Sequence, residues 1–166
     1  MMMFMTCTER PMPRRRPGAL RAEQSPRIAW SLPPDRIHGL SIRTSVAIDQ
    51  VERLSGDYYL YPGATDRALR RYRAFLQPPG RRPLYPQDSE CSCRGCSFDD
   101  VRHARDVLEE VVRQLPSRPH AELQQRVRAL DARYMERTLP DPFAVQRQSR
   151  SDSWWRRRLA GGREAG

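Results

Sequence analysis

The chain has 166 residues, a formal net charge of +10, and Leu, Ile, Val or Phe at only 30 positions. So little apolar side chain excludes a large core and borders on the composition of disordered chains; a small body with extensions is expected, of the kind stapled by a metal or a partner. No run approaches the roughly 20 apolar residues of a membrane span, and Met1 to Met5 is too short for a secretory signal, so the expectation is a cytoplasmic protein that does not enter a membrane.

Residues 1–56 read as a mostly disordered basic extension. Pro at 11, 13, 17, 26, 33 and 34 and the run Arg14-Arg15-Arg16 leave no apolar period through residue 36. Met12 offers an alternative start, which the intact mass of the native protein decides. Partial alternation in Leu40-Ser-Ile42-Arg-Thr-Ser-Val46-Ala-Ile48 predicts one strand over 40–48, and 49–54 a helical turn ended by Ser55-Gly56.

A small helical domain is predicted over 57–139. Its first part, Tyr58-Tyr59-Leu60-Tyr61, is an extended aromatic stretch that turns at Pro62-Gly63 and packs on the helices behind it. Thr65 suits the N-cap of a helix over 66–76, with Leu69, Tyr72 and Leu76 on one face and Pro78-Pro79-Gly80 as the stop. A proline-rich loop then leads to a cysteine knuckle over 91–96.

The strongest helix signal follows directly. With Ser97 as N-cap and Asp99 and Asp100 at the positive end of the dipole, Val101, Ala104, Leu108, Val111, Val112 and Leu115 form one apolar stripe, closed by Pro116. After Ser117-Arg118-Pro119, a second stripe of Leu123, Val127, Leu130 and Tyr134 runs to Pro140. The short link makes an antiparallel hairpin, 98–115 against 119–138, the natural arrangement. Residues 98–139 hold 11 of the 30 large apolar side chains, so the core is expected there. The predicted fold class is therefore mostly α, with a cysteine knuckle and disordered basic flanks. Residues 140–166 form a polar tail with a short helix around Ser153-Trp154-Trp155-Arg156-Arg157-Arg158-Leu159.

Cys91-Ser-Cys93-Arg-Gly-Cys96 is the one constellation with evident chemistry. Three thiols in six residues cannot pair evenly into disulfides, and in an intracellular chain they are more simply metal ligands than bridges. Zinc in a structural site takes four such ligands, commonly Cys with or without His. Cys91, Cys93 and Cys96 supply three. His103 is the nearest fourth candidate, six residues into the predicted helix but on its polar side; Asp99 or Asp100, Cys7, or a residue of a second subunit in a homodimer are the others. His120 lies at the far end of the hairpin and is set aside. Cys96, just before a helix N-terminus, is where the dipole favours thiolate. Unligated redox-labile thiols and an iron–sulfur site remain open. A thiol–disulfide redox protein using Cys93 and Cys96 is the alternative, although the strand that normally precedes such a motif is missing.

Trp154 and Trp155 beside Arg156, Arg157 and Arg158 have two readings. They can stack on bases and bind phosphates of a nucleic acid or contact a partner, or the tryptophans can fold back onto a small core. Charge favours the flanks for nucleic acid: residues 1–56 carry 9 Arg against 5 acids and 140–166 carry 6 against 3, while 91–139 is nearly balanced at 9 against 8. Such binding weakens steeply with salt. The neutral hairpin favours a protein partner instead. No phosphate loop, His-Glu-x-x-His or Gly-x-Ser-x-Gly is present, so a non-catalytic binding module, zinc-stabilised, is the expected function.

All 30 basic residues are Arg and Lys is absent. With its abundant Ala, Pro and Gly the chain resembles small Arg-rich actinobacterial proteins, a resemblance of coding bias that implies no activity.

Overall fold

A computed structural model describes residues 35–89, 91–144 and 153–161. All of them fall in one of the chain's two units, Pro33–Gly166. The described residues are mostly helical and contain no strand: α1 (Ile42–Leu54), α2 (Ala64–Leu76), α3 (Val101–Gln114) and α4 (Ser117–Arg137), with 3-10 turns at Cys96–Asp99 and Trp154–Arg157. Of the extension predicted over 1–56 and the tail predicted over 140–166, residues 1–34, 145–152 and 162–166 lie outside the described residues.

The strand expected over 40–48 is a helix, and the body begins well before residue 57. The Ser41 hydroxyl accepts the Thr44 N–H and caps α1. Its buried face is Thr44, Ser45, Ile48 and Glu52, a helical stripe in which only one residue is aliphatic. An apolar count cannot see such a face, and the alternation that suggested a strand instead leaves Ile42 67% exposed. Tertiary bonds replace the missing hydrophobic signal. Glu122 of α4 accepts the Ser41 N–H (2.6 Å), the Ser41 hydroxyl (2.7 Å) and the Thr44 hydroxyl. Those bonds hold the Glu122 carboxyl below its ordinary range, the Thr44 hydroxyl contributing most.

Glu52, at the other end of α1, accepts the backbone N–H groups of Gly63 and Thr65, both at 2.7 Å. A carboxylate from one helix thereby caps the next, where unpaired N–H groups and the dipole favour it. Gly63, not Thr65, is the N-cap residue of α2, and its φ of 89° is one that side chains rarely adopt. Thr65 is buried in the first turn instead. Desolvation raises the Glu52 pKa despite these bonds.

The expected faces of the other helices are buried as the periodicity requires: Leu69, Tyr72 and Leu76 of α2; Val101, Ala104, Leu108, Val111 and Val112 of α3; Leu123, Val127, Leu130 and Tyr134 of α4. α3 packs most extensively on α2, and α1 on α4. From its two-residue link to α3, α4 returns so that the His120 Nδ1–H donates to the Val112 carbonyl (2.8 Å) and Asp131 receives Arg105. Ser97 lies in the 3-10 turn; the cap of α3 is Asp100, whose carboxylate accepts the Arg102 N–H at 2.8 Å and the Arg102 guanidinium at 2.9 Å.

Where α2, α3 and α4 meet, the buried Arg105 and Asp131 pair through Nε and Oδ1 at 2.9 Å, and the Tyr72 hydroxyl donates to the same oxygen at 2.8 Å. Removing one partner of such a pair strands a buried charge. The Trp155 ring covers this cluster, 4.2 Å from the Arg105 guanidinium carbon.

Candidate metal centre

The knuckle is held by side chains bonded to its own carbonyls. The Ser89 hydroxyl donates to the carbonyls of Cys91 (2.6 Å) and Cys96 (2.9 Å), and the Ser97 hydroxyl and N–H both donate to that of Cys93 (2.8 and 3.0 Å). Longer-range bonds come from the aromatic stretch and α2. The Tyr59 hydroxyl donates to the Ser92 carbonyl (2.9 Å) and Arg67 to that of Gly95 (2.7 Å). Arg94, within the knuckle, donates to the Tyr58 carbonyl and lies over the rings of Tyr58 and Tyr61, at 4.5 and 5.4 Å. The loop is therefore shaped by the protein around it, with the carbonyls of Cys91, Ser92, Cys93, Gly95 and Cys96 all accepting hydrogen bonds.

That shape brings three sulfurs together. Cys91, Cys93 and Cys96 are exposed and unbridged, and their Sγ atoms lie within 4.8 Å of one another. Backbone amides point at two of them: the Cys93 N–H donates to Cys91 Sγ at 3.4 Å and the Cys96 N–H to Cys93 Sγ at 3.3 Å. Such amide donors favour thiolate. The Cys96 amide, then the neighbouring thiols, lower the Cys93 pKa to about 7, whereas hydrogen bonding to Cys93 raises that of Cys96 to about 11. The sequence pointed to Cys96 as the thiol favoured as thiolate; the hydrogen bonds within the loop favour Cys93 instead, and the bonds of Cys96 to Cys93 and Cys91 work against its own ionisation. Three converging sulfurs can hold a metal ion.

His103 is not brought to them. Its ring is clasped by Tyr59 (centroids 4.5 Å apart) and Phe98 (5.2 Å), and its buried Nε2 has no hydrogen-bond partner among the described residues. Burial lowers its pKa below the ordinary 6.5. Asp100 is committed to Arg102, and Cys7 lies outside the described residues. Among the described residues no fourth donor joins the three sulfurs.

The tryptophan–arginine segment does not form an open stacking surface. Trp155 is 6% exposed and its Nε1–H donates to Asp106 at 2.8 Å. Trp154 is half-buried against Tyr134, and Arg156 pairs with Asp106. Arg158 donates to the Thr138 hydroxyl (2.8 Å) and the Met135 carbonyl (2.9 Å); Arg157 is exposed. The reason is local: Asp106 gives the segment a carboxylate, and the Arg105–Asp131 cluster gives Trp155 a platform. Of the two readings the sequence offered, Trp155 follows the second and folds back into the core.

Sequence reasoning missed Tyr59, Arg67 and Arg94 as the supports of the knuckle. Arg94, lying between two of the cysteines, and Tyr59, in an aromatic stretch expected to pack on the helices, carried a partial signal; Arg67 carried none. No family model, curated protein or solved structure matches the chain. No helix among the described residues is long and apolar enough to cross a membrane.

Proposed function

We propose that this chain is a non-catalytic binding module whose knuckle is stabilised by zinc held by Cys91, Cys93 and Cys96. The convergence of three exposed thiols within 4.8 Å, on a loop already fixed by hydrogen bonds to its carbonyls, carries this reading. Thiolate ligands suit zinc, and binding releases their protons. A reducing cytoplasm is the compartment in which such thiols persist. The test is elemental analysis of protein purified without chelator: one equivalent of zinc in the native chain and little in Cys96→Ser supports the reading. Metal-free protein whose melting ignores EDTA ends it.

The nearly neutral hairpin region, 9 Arg against 8 acids over 91–139, favours a protein as the partner. A nucleic acid is the second reading. It rests on residues 1–34, with 6 Arg against 2 acids, rather than on the tail, where Trp155 and Arg156 are already engaged. An electrophoretic shift that vanishes at moderate salt and on deleting residues 1–34 supports it.

Thiol–disulfide exchange by Cys93 and Cys96 is the rival from another class, favoured by the lowered Cys93 pKa. Disulfide-reductase turnover that Cys93→Ser abolishes would establish it in place of the zinc module.

A further inference from the structure

The three-sulfur set has an open side. A structural zinc is ordinarily closed by four protein ligands, whereas a site with three keeps a position for an incoming group. Here, among the described residues, His103 is held between Tyr59 and Phe98 and Asp100 on Arg102, and no imidazole or carboxylate joins the three sulfurs. The three cysteines face solvent. Charge also defines what fits. Three thiolates leave zinc with one negative charge in excess and a fourth anion makes it two; the guanidiniums of Arg67 and Arg94, both anchored at this loop, offset two. A fourth sulfur completes the tetrahedral set that zinc prefers.

Resting on the zinc reading above, we propose that the ion at Cys91, Cys93 and Cys96 takes a thiolate from another molecule as its fourth ligand, so that the knuckle is a docking point for a thiol. The incoming S–H gives its proton to solvent while its sulfur displaces a water from the metal; no redox step is involved.

Cobalt(II) loading of the full chain, prepared without added thiol, tests this. The sulfur-to-cobalt absorption scales with the number of thiolates. It should start at a three-sulfur intensity and rise by about one third on adding 2-mercaptoethanol or a blocked cysteinyl peptide. A response to both marks any accessible thiol, and a response to the peptide alone marks a protein's cysteine; each supports the proposal. Four-sulfur intensity before any thiol is added, including an intensity that Cys7→Ser reduces, overturns it, as does a three-sulfur spectrum that neither thiol changes. Failure of cobalt to bind at all is a separate result: it removes the metal centre itself.

Discussion

Two parts of the folded chain set aromatics against arginines: the Tyr58-Tyr59-Leu60-Tyr61 stretch with Arg94, brought together through space, and Trp154-Trp155 with Arg156 to Arg158, adjacent in sequence. They serve opposite ends. In the tail, Asp106 accepts both the Trp155 indole N–H and the Arg156 guanidinium, and Trp155 closes over the Arg105–Asp131 pair. At the knuckle, Arg94 finds a carbonyl and two tyrosine faces, and what it fixes is a loop that leaves three thiols in solvent. An aromatic–arginine segment becomes core where a carboxylate and a platform wait opposite, and scaffolding where only backbone acceptors do.

Substitutions break or sharpen that contrast. Trp155→Ala is expected to cost about 3–5 kcal/mol in urea unfolding, as for a large buried ring; a cost under about 1 kcal/mol would show the tail to be dispensable and reopen its surface reading. Zinc removal should act next most strongly, through the other segment. At a free metal concentration 100 times the dissociation constant, binding adds about 2.7 kcal/mol of stability, which EDTA should abolish in the native chain but not in Cys96→Ser.

Acid should act more weakly, and through His103. Its pKa is lowered by burial between Tyr59 and Phe98, so the unfolded chain binds the proton first as pH falls below 6.5, and stability is lost from there downwards. Melting temperatures from pH 7.5 to 5 should decline for the native chain and stay flatter for His103→Phe. Glu122, whose pKa is lowered by hydrogen bonds, adds a second loss below its ordinary 4.5. Tyr58→Ala is the smallest change: the ring is 54% exposed, so a shift within about 0.5 kcal/mol is expected, read in the same urea titration.

The stripes of α2, α3 and α4 were legible because each repeats aliphatic or aromatic residues at helical spacing, and burial followed the spacing. α1 was not legible. Its inward face is Thr44, Ser45 and Glu52 around a single Ile48, satisfied by Glu122, Gly63 and Thr65 from distant parts of the chain. At the candidate site the three cysteines were plain from their spacing, but the position of His103 was not. Its helical register was readable, while the tyrosine that holds it comes from 44 positions earlier.

Local order along the chain sufficed for the helical class, the buried stripes of the last three helices and the sulfur triplet, because spacing within one element is a nearest-neighbour property. The fate of the polar and ionic groups was decided only by folding in three dimensions: which carboxylate caps which helix, which ring covers Arg105, and that His103 stays apart from the thiols. Hydrogen bonds and ion pairs need a partner within about 3 Å, and here the partners stand up to 81 residues away along the chain.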